Sequence, residues 1–346
     1  QITDTVVAPA KSLQFSAIDD TVTFNDDGDT MNGLNQVTSP GSGATLLLQD
    51  ATATRTVRFG DGADVWDYVG QDPASMAVVT LNGEDGNDTI DASSMPSAVI
   101  IIGGNDDDAL TGTNFDDTIS GNAGIDVIDG LTGSDLLVEA GDVNFTLTDA
   151  ALTGLGNDIL TSIELAQLTG GASDNTINAS AFNGQTTLSG LGGDDMLTGG
   201  TLGDSLSGGT GDDLVNGGAG DDIILDEFGD DLLNGNAGSD TISSGTGNDV
   251  VTGGDDGDFI SVTYSGGTIS VDGGLGVDQI FVSDSGLGLA GSVDVKGGDG
   301  ADIFAAAPLL GGTLVFHGDD PVFGTVPGDL LSVFLLDPAI MNTTIV

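Results

Sequence analysis

The chain has no cysteine, one histidine and four basic residues among 346. Without cysteine, neither disulfides nor thiolate metal sites are available. With His317 as the sole imidazole, zinc and other soft-metal chemistry is not expected either. The four cations, Lys11, Arg55, Arg58 and Lys296, stand against 55 acidic residues, a formal net charge of −51. Nucleic acid and anionic membranes need Lys and Arg to neutralise phosphate, so neither is an expected partner. Long apolar runs are also missing: nothing approaches the roughly 18 residues of a membrane span, so membrane insertion is not expected. The most apolar stretch, LLSVFLL at 330–336, has the length of a core strand. No basic-then-apolar leader opens the chain at Gln1, and the sequence reads as a piece of something longer or a processed form.

What the chain does have is a period. So much acid suggests disorder, but 38% of residues are hydrophobic and they recur regularly. From Gly190 to Ser261 a nine-residue frame runs through eight units without a gap. Position 6 is acidic in all eight: Asp195, Asp204, Asp213, Asp222, Asp231, Asp240, Asp249 and Asp258. Position 8 is aliphatic in all eight, from Leu197 and Leu206 through to Ile260. A second block, 103–138, places Asp108, Asp117, Asp126 and Asp135 at position 6 and Leu110, Ile119, Ile128 and Leu137 at position 8. Isolated units carry Asp64, Asp88, Asp158, Asp278 and Asp302. Asp64 to Asp88 and Asp278 to Asp302 are steps of 24 residues, and Asp88 to Asp108 and Asp258 to Asp278 are steps of 20. These exceed twice nine, as expected of a coil in which one glycine loop is replaced by a longer strand–turn–strand. Asp158, Asn175 and Asp195 follow at steps of 17 and 20, so 139–189 reads as degenerate coils and not a separate domain.

The unit has a physical logic. Three glycines permit left-handed backbone and close approach of neighbouring loops. The following triplet is a very short strand that turns its one aliphatic residue inward. One unit buries almost nothing; parallel coils stacked about 4.8 Å apart bury a continuous aliphatic column. Stacking also brings the carboxylates together, and like charges at that distance repel unless a cation separates them. Calcium accepts six to eight oxygens from carboxylates and carbonyls and fits that need. In an 18-residue coil alternate units share an edge, so Asp195, Asp213, Asp231 and Asp249 line one edge, and Asp204, Asp222, Asp240 and Asp258 the other. Each ion bridges a loop and the loop one coil later, giving about six ions in the contiguous block.

The frame Gly-Gly-x-Gly-x-Asp-x-aliphatic-x, intact in GGTGDDLVN and GGAGDDIIL, resembles the RTX (repeats-in-toxin) calcium-binding nonapeptide. The resemblance covers about 59–305 and is strongest at 103–138 and 190–261. The ends, 1–58 and 306–346, lack the regular frame and read as atypical β-rich caps or assembly segments; the resemblance itself implies an all-β fold, a right-handed parallel β-roll or β-helix solenoid. It also implies multiple Ca2+ ions and type I secretion to the cell exterior. Some units depart from the frame. Position 4 is Asp106, Phe115, Leu202 or Ser173, and Asn175 replaces the aspartate in one unit; these loops are expected to bind weakly or not at all.

Fold does not fix function. The reading favoured by the sequence is a non-catalytic, calcium-stabilised structural segment of an extracellular bacterial protein: a surface layer, filament or adhesin. It folds on Ca2+ after export and has ends able to self-associate. An alternative is a calcium-binding module appended to a secreted polysaccharide-active enzyme or polysaccharide-binding module. Acidic sugars need basic residues in a cleft and a proton-transfer group, which four cations, one His and two Tyr scarcely provide. His317, in VFHGDDP, reads as a solvated turn residue. Aromatic platforms for sugars are scarce; Trp66 and Tyr68, two apart in DVWDYV, are placed to share one strand face, and packing is their more natural role.

Overall fold

A computed structural model describes residues 79–286, 290–307 and 312–317 in full, and several strands outside them by backbone alone. The chain divides into two compact units, Gln1–Ala140 with Thr148–Gln167, and Gly141–Leu147 with Leu168–Val346. Both are parallel β-solenoids, and among the described residues there is no helix.

In the first unit the strands alternate between two sheets. Val79–Asp85, Val99–Asn105, Thr118–Ala123 and Leu136–Ala140 pair in parallel in one; Thr89–Asp91, Ala109–Thr111, Val127–Asp129 and Asn157–Thr161 do so in the other. The register places Leu81, Ile101, Ile119 and Leu137 in one column and Ile90, Leu110, Ile128 and Leu160 in the other. The second unit repeats the plan. Leu197, Val215, Leu233, Val251, Val271, Val295 and Phe316 are successive partners in one sheet. Leu188, Leu206, Ile224, Ile242, Ile260, Ile280 and Phe304 are partners in the other. All of these side chains are buried. Burying each contributes roughly 1.5–3 kcal/mol, so a strand of three residues is held by its place in the stack and not by its own propensity.

The longer steps have the anticipated construction. Between Asp258 and Asp278 the strands Phe259–Tyr264 and Gly267–Leu275 replace the short triplets. The 139–189 stretch departs from simple coils. Ala151–Thr153 pairs antiparallel with Asn157–Thr161, and the latter continues the sheet from Val127–Asp129. Asp158 therefore stacks on Asp126, 32 residues earlier, because a hairpin has been inserted between two coil layers. His317 does not lie in a turn: it closes the strand Gly312–His317 and its Nε2 sits 2.7 Å from Asp294 Oδ1.

Toward the ends, Arg55–Arg58 pairs in parallel with Val79–Asp85, and Leu330–Val333, in the most apolar run, with Ile303–Ala306. The strand Val65–Val69, which carries Trp66 and Tyr68, pairs in parallel with Thr89–Asp91. The side chains weighed there as a sugar platform lie outside the described residues.

Candidate metal centre

The three glycines of the unit are required for different reasons. In GGAGDDIIL, Gly218 and Gly220 at positions 2 and 4 have φ of 117° and 105°, where a side chain is strained. Gly217 at position 1 has no such φ. A Cβ there would lie 2.2 Å from Asp222 Oδ2 and 2.8 Å from the carbonyl oxygen of Gly235, one coil on. The position-1 glycine is thus the floor of a cradle walled by a carboxylate oxygen and a backbone carbonyl oxygen. The same pair recurs at Gly190, with Asp195 Oδ2 and Gly208 O, and at Gly235, with Asp240 Oδ2 and Gly253 O.

The aspartates stand in rows. Asp88, Asp108, Asp126 and Asp158 follow one another along one edge of the first unit; each donates its backbone N–H to Oδ1 of the next at 2.7–3.0 Å. On the other edge Asp117 donates to Asp135 at 2.8 Å. In the second unit Asp195, Asp213, Asp231 and Asp249 form one row. Asp204, Asp222, Asp240, Asp258, Asp278 and Asp302 form the opposite row. Of the 17 aspartates picked out by the sequence period, all but Asp64 fall in the described residues, and those 16 are buried. Asp64 lies outside them.

These rows leave one oxygen over. Oδ1 is taken by a neighbouring N–H, whereas Oδ2 is buried without a hydrogen-bond partner in Asp108, Asp126, Asp135, Asp195, Asp213, Asp222, Asp231, Asp240, Asp249, Asp258 and Asp278. An ionised oxygen buried without a partner is strongly unfavourable, so such groups neutralise or meet a cation. Burial pushes the carboxyls up, Asp213, Asp222, Asp231 and Asp258 to about 7 and Asp108 to about 8. Hydrogen bonds from the adjacent coil partly oppose that shift, and neighbouring carboxylates add to it. Without an ion these five carboxyls therefore keep protons well above the ordinary aspartate range; a cation would take their place.

The frame's departures have a structural consequence. In the loops with Phe115 and Leu202 at position 4, the spare oxygen is already used: Thr113 N–H donates to Asp117 Oδ2, and Gly200 N–H to Asp204 Oδ2, both at 2.5 Å. In the loop with Ser173, Gly171 N–H donates to Asn175 Oδ1 at 2.7 Å. None of these three position-4 residues has positive φ, and neither has the position-2 residue, Thr113, Gly200 or Gly171, whose N–H meets the loop's own side chain. Asp106 does adopt φ of 76°, and its loop stays open, with Asp108 Oδ2 bare.

Two acids missed by the sequence period also enter the edges. Glu139 and Asp226 occupy position 1, where the frame calls for glycine, and both are buried. Their spacing from the preceding repeat glycines, 18 residues, was visible, but an acid in a glycine column reads as a lapse in the repeat.

Oxygen-only donors, bare carboxylate oxygens and adjoining carbonyls suit a hard cation, and calcium above all. Both units are thus solenoids of the cation-stapled parallel β-roll class. Four stretches, 79–94, 102–137, 198–225 and 227–260, match the RTX calcium-binding nonapeptide repeat. The chain thus carries four copies of the RTX calcium-binding repeat, and such repeats bind Ca2+ at multiple sites. No curated protein matches it. When bound, the ions would supply positive charge to the carboxylate rows; the aspartates orient the loops, and the aliphatic columns exclude water from the strand core.

Proposed function

We propose that this chain is a non-catalytic, calcium-stapled structural segment of an extracellular bacterial protein, serving in a surface layer, filament or adhesin. The observation that carries the reading is the run of buried, unpartnered Oδ2 atoms along the coil edges of both units. A coil edge of this kind is stable where free calcium is abundant and unstable where it is scarce. Extracellular modules bind at about 10⁻⁴–10⁻³ M, far above cytosolic calcium. The chain therefore stays expanded inside the cell and folds after export, with ion binding supplying folding free energy.

The ligands in this reading are Oδ2 of the open-loop aspartates with the position-1 carbonyls of the next coil. Asp88, Asp158 and Asp302 extend the rows, and Asp64 continues the pattern in sequence. Asp117 and Asp204 are satisfied by their own loops and hold no ion. The segments 1–58 and 306–346 cover the coil ends or join copies end to end.

Circular dichroism and size exclusion with and without millimolar calcium test the proposal. Calcium should convert an expanded chain into a compact β protein, and into assemblies where the ends dock. A compact monomer indifferent to calcium would contradict it, and turnover of a polysaccharide would contradict its non-catalytic part.

A further inference from the structure

Around Gly190 the cradle is walled by one carboxylate oxygen and one neutral carbonyl oxygen, Asp195 Oδ2 and Gly208 O. Around Gly208 it is different. A Cβ there would lie 2.4 Å from Asp213 Oδ2 and 2.7 Å from Asp226 Oδ2, so a second carboxylate stands where a carbonyl stands elsewhere. Asp226 is 6% exposed. Its Oδ1 is fixed by N–H donors from Gly209 at 3.0 Å and Glu227 at 2.8 Å, while its Oδ2 is buried with no partner. Asp213, Asp226 and Asp231 each present a carboxylate oxygen, the three lying within 4.8 Å of one another. The construction has a counterpart in the other unit. Glu139 Oε1 accepts from Gly121 N–H at 2.6 Å and Asn122 N–H at 3.1 Å, and its Oε2 is likewise buried and bare. An acid at position 1 thus reaches back to the previous coil with one oxygen and offers the other to the loop interior.

We propose that Asp213, Asp226 and Asp231 form a three-carboxylate cation site that binds Ca2+ at least tenfold more tightly than the ordinary repeat sites and fills first. Affinity for calcium in oxygen cages is tuned by the number of charged ligands. A third charge in a buried site, where screening is weak, acts directly on the ion. The first ion then fixes the coils around 208–234 and gives the neighbouring loops a formed surface to stack on. This inference rests on the calcium reading above, and goes beyond it in ranking one site over the rest.

The test is a calcium titration of the full chain against a chromophoric chelator, comparing the unaltered protein with Asp226→Gly and Asp226→Asn. The first substitution restores the repeat glycine; the second keeps shape and an acceptor oxygen but removes the charge. The unaltered protein should show one class of site at least tenfold tighter than the others, and both variants should lose that class while keeping the weaker ones. Variants titrating like the unaltered chain would overturn the assignment and leave calcium binding at the repeats intact. Loss of all calcium binding in both variants would overturn it as well, making Asp226 a structural group. No calcium binding by the unaltered chain would overturn the underlying reading and this one together.

Discussion

The backbone N–H of Asp213 donates to Oδ1 of Asp231 at 2.9 Å, one 18-residue coil later. This bond aligns two carboxylates of the same sign along a buried edge and leaves Oδ2 of both bare. Repeated along each row, it makes the stack a ladder of hydrogen bonds whose rungs are carboxyl groups. The fold is complete in its hydrogen bonds to Oδ1 and incomplete in its charge.

Neutralising one rung should keep the bond and remove an ion. Asp222→Asn leaves the core untouched, yet should lower calcium stoichiometry by at least one and cost about 1–3 kcal/mol in calcium. Asp212→Asn, at an exposed neighbouring position, should change stability by less than about 0.5 kcal/mol. Thermal melts and calcium counting in excess calcium check both.

A closed loop should open when its backbone is freed. Leu202 holds position 4 without positive φ, and Gly200 N–H occupies Asp204 Oδ2. Leu202→Gly should let that loop adopt the open conformation and add one bound calcium, measured by equilibrium dialysis. An unchanged count would show that the position-4 side chain does not control the loop.

Calcium-free stability should depend on pH in a defined direction. Aspartates with an ordinary value of 3.8 are pushed up to about 6 at Asp240, about 7 at Asp222 and about 8 at Asp108. The folded state then binds more protons than the unfolded state between these values, so stability falls as pH rises through the window. The contribution is fully present below about 4 and lost by about 8. In chelator, the chain should be more folded at pH 4.5 than at pH 8, and calcium added near pH 7 should release protons. Far-UV circular dichroism and proton release in unbuffered solution measure the two effects.

Adjacent residues should separate core from surface. Ile224 is fully buried in its column, whereas Ile223 is 46% exposed. Ile224→Ala should cost about 2–5 kcal/mol in calcium and Ile223→Ala much less. Chemical denaturation of both variants gives the comparison.

Much of this organisation is legible in the sequence because the repeat is strict where physics is strict. Position 8 must be apolar to enter the column, and position 6 must be short and acidic to reach both the previous coil and its own loop, so Asp222 and Ile224 can be placed by counting. Counting fails at the hairpin Ala151–Thr153 with Asn157–Thr161, since a chain that turns back adds residues without adding a layer. It fails also at Asp226 and Glu139. Position 1 needs glycine for space, not for φ, and a side chain that turns toward the previous coil escapes the collision. The contrast between Asp106, whose loop stays open, and Phe115, whose loop closes, depends on a left-handed φ that Asp tolerates better than a bulky residue.

The most direct test is a calcium titration at pH 7.5 from excess chelator to millimolar calcium, followed by far-UV circular dichroism. A coil edge of buried, unpartnered carboxylates predicts a cooperative gain of β-structure within that range, reversed by chelator. A full β spectrum already present in chelator, unchanged by calcium, would contradict the account.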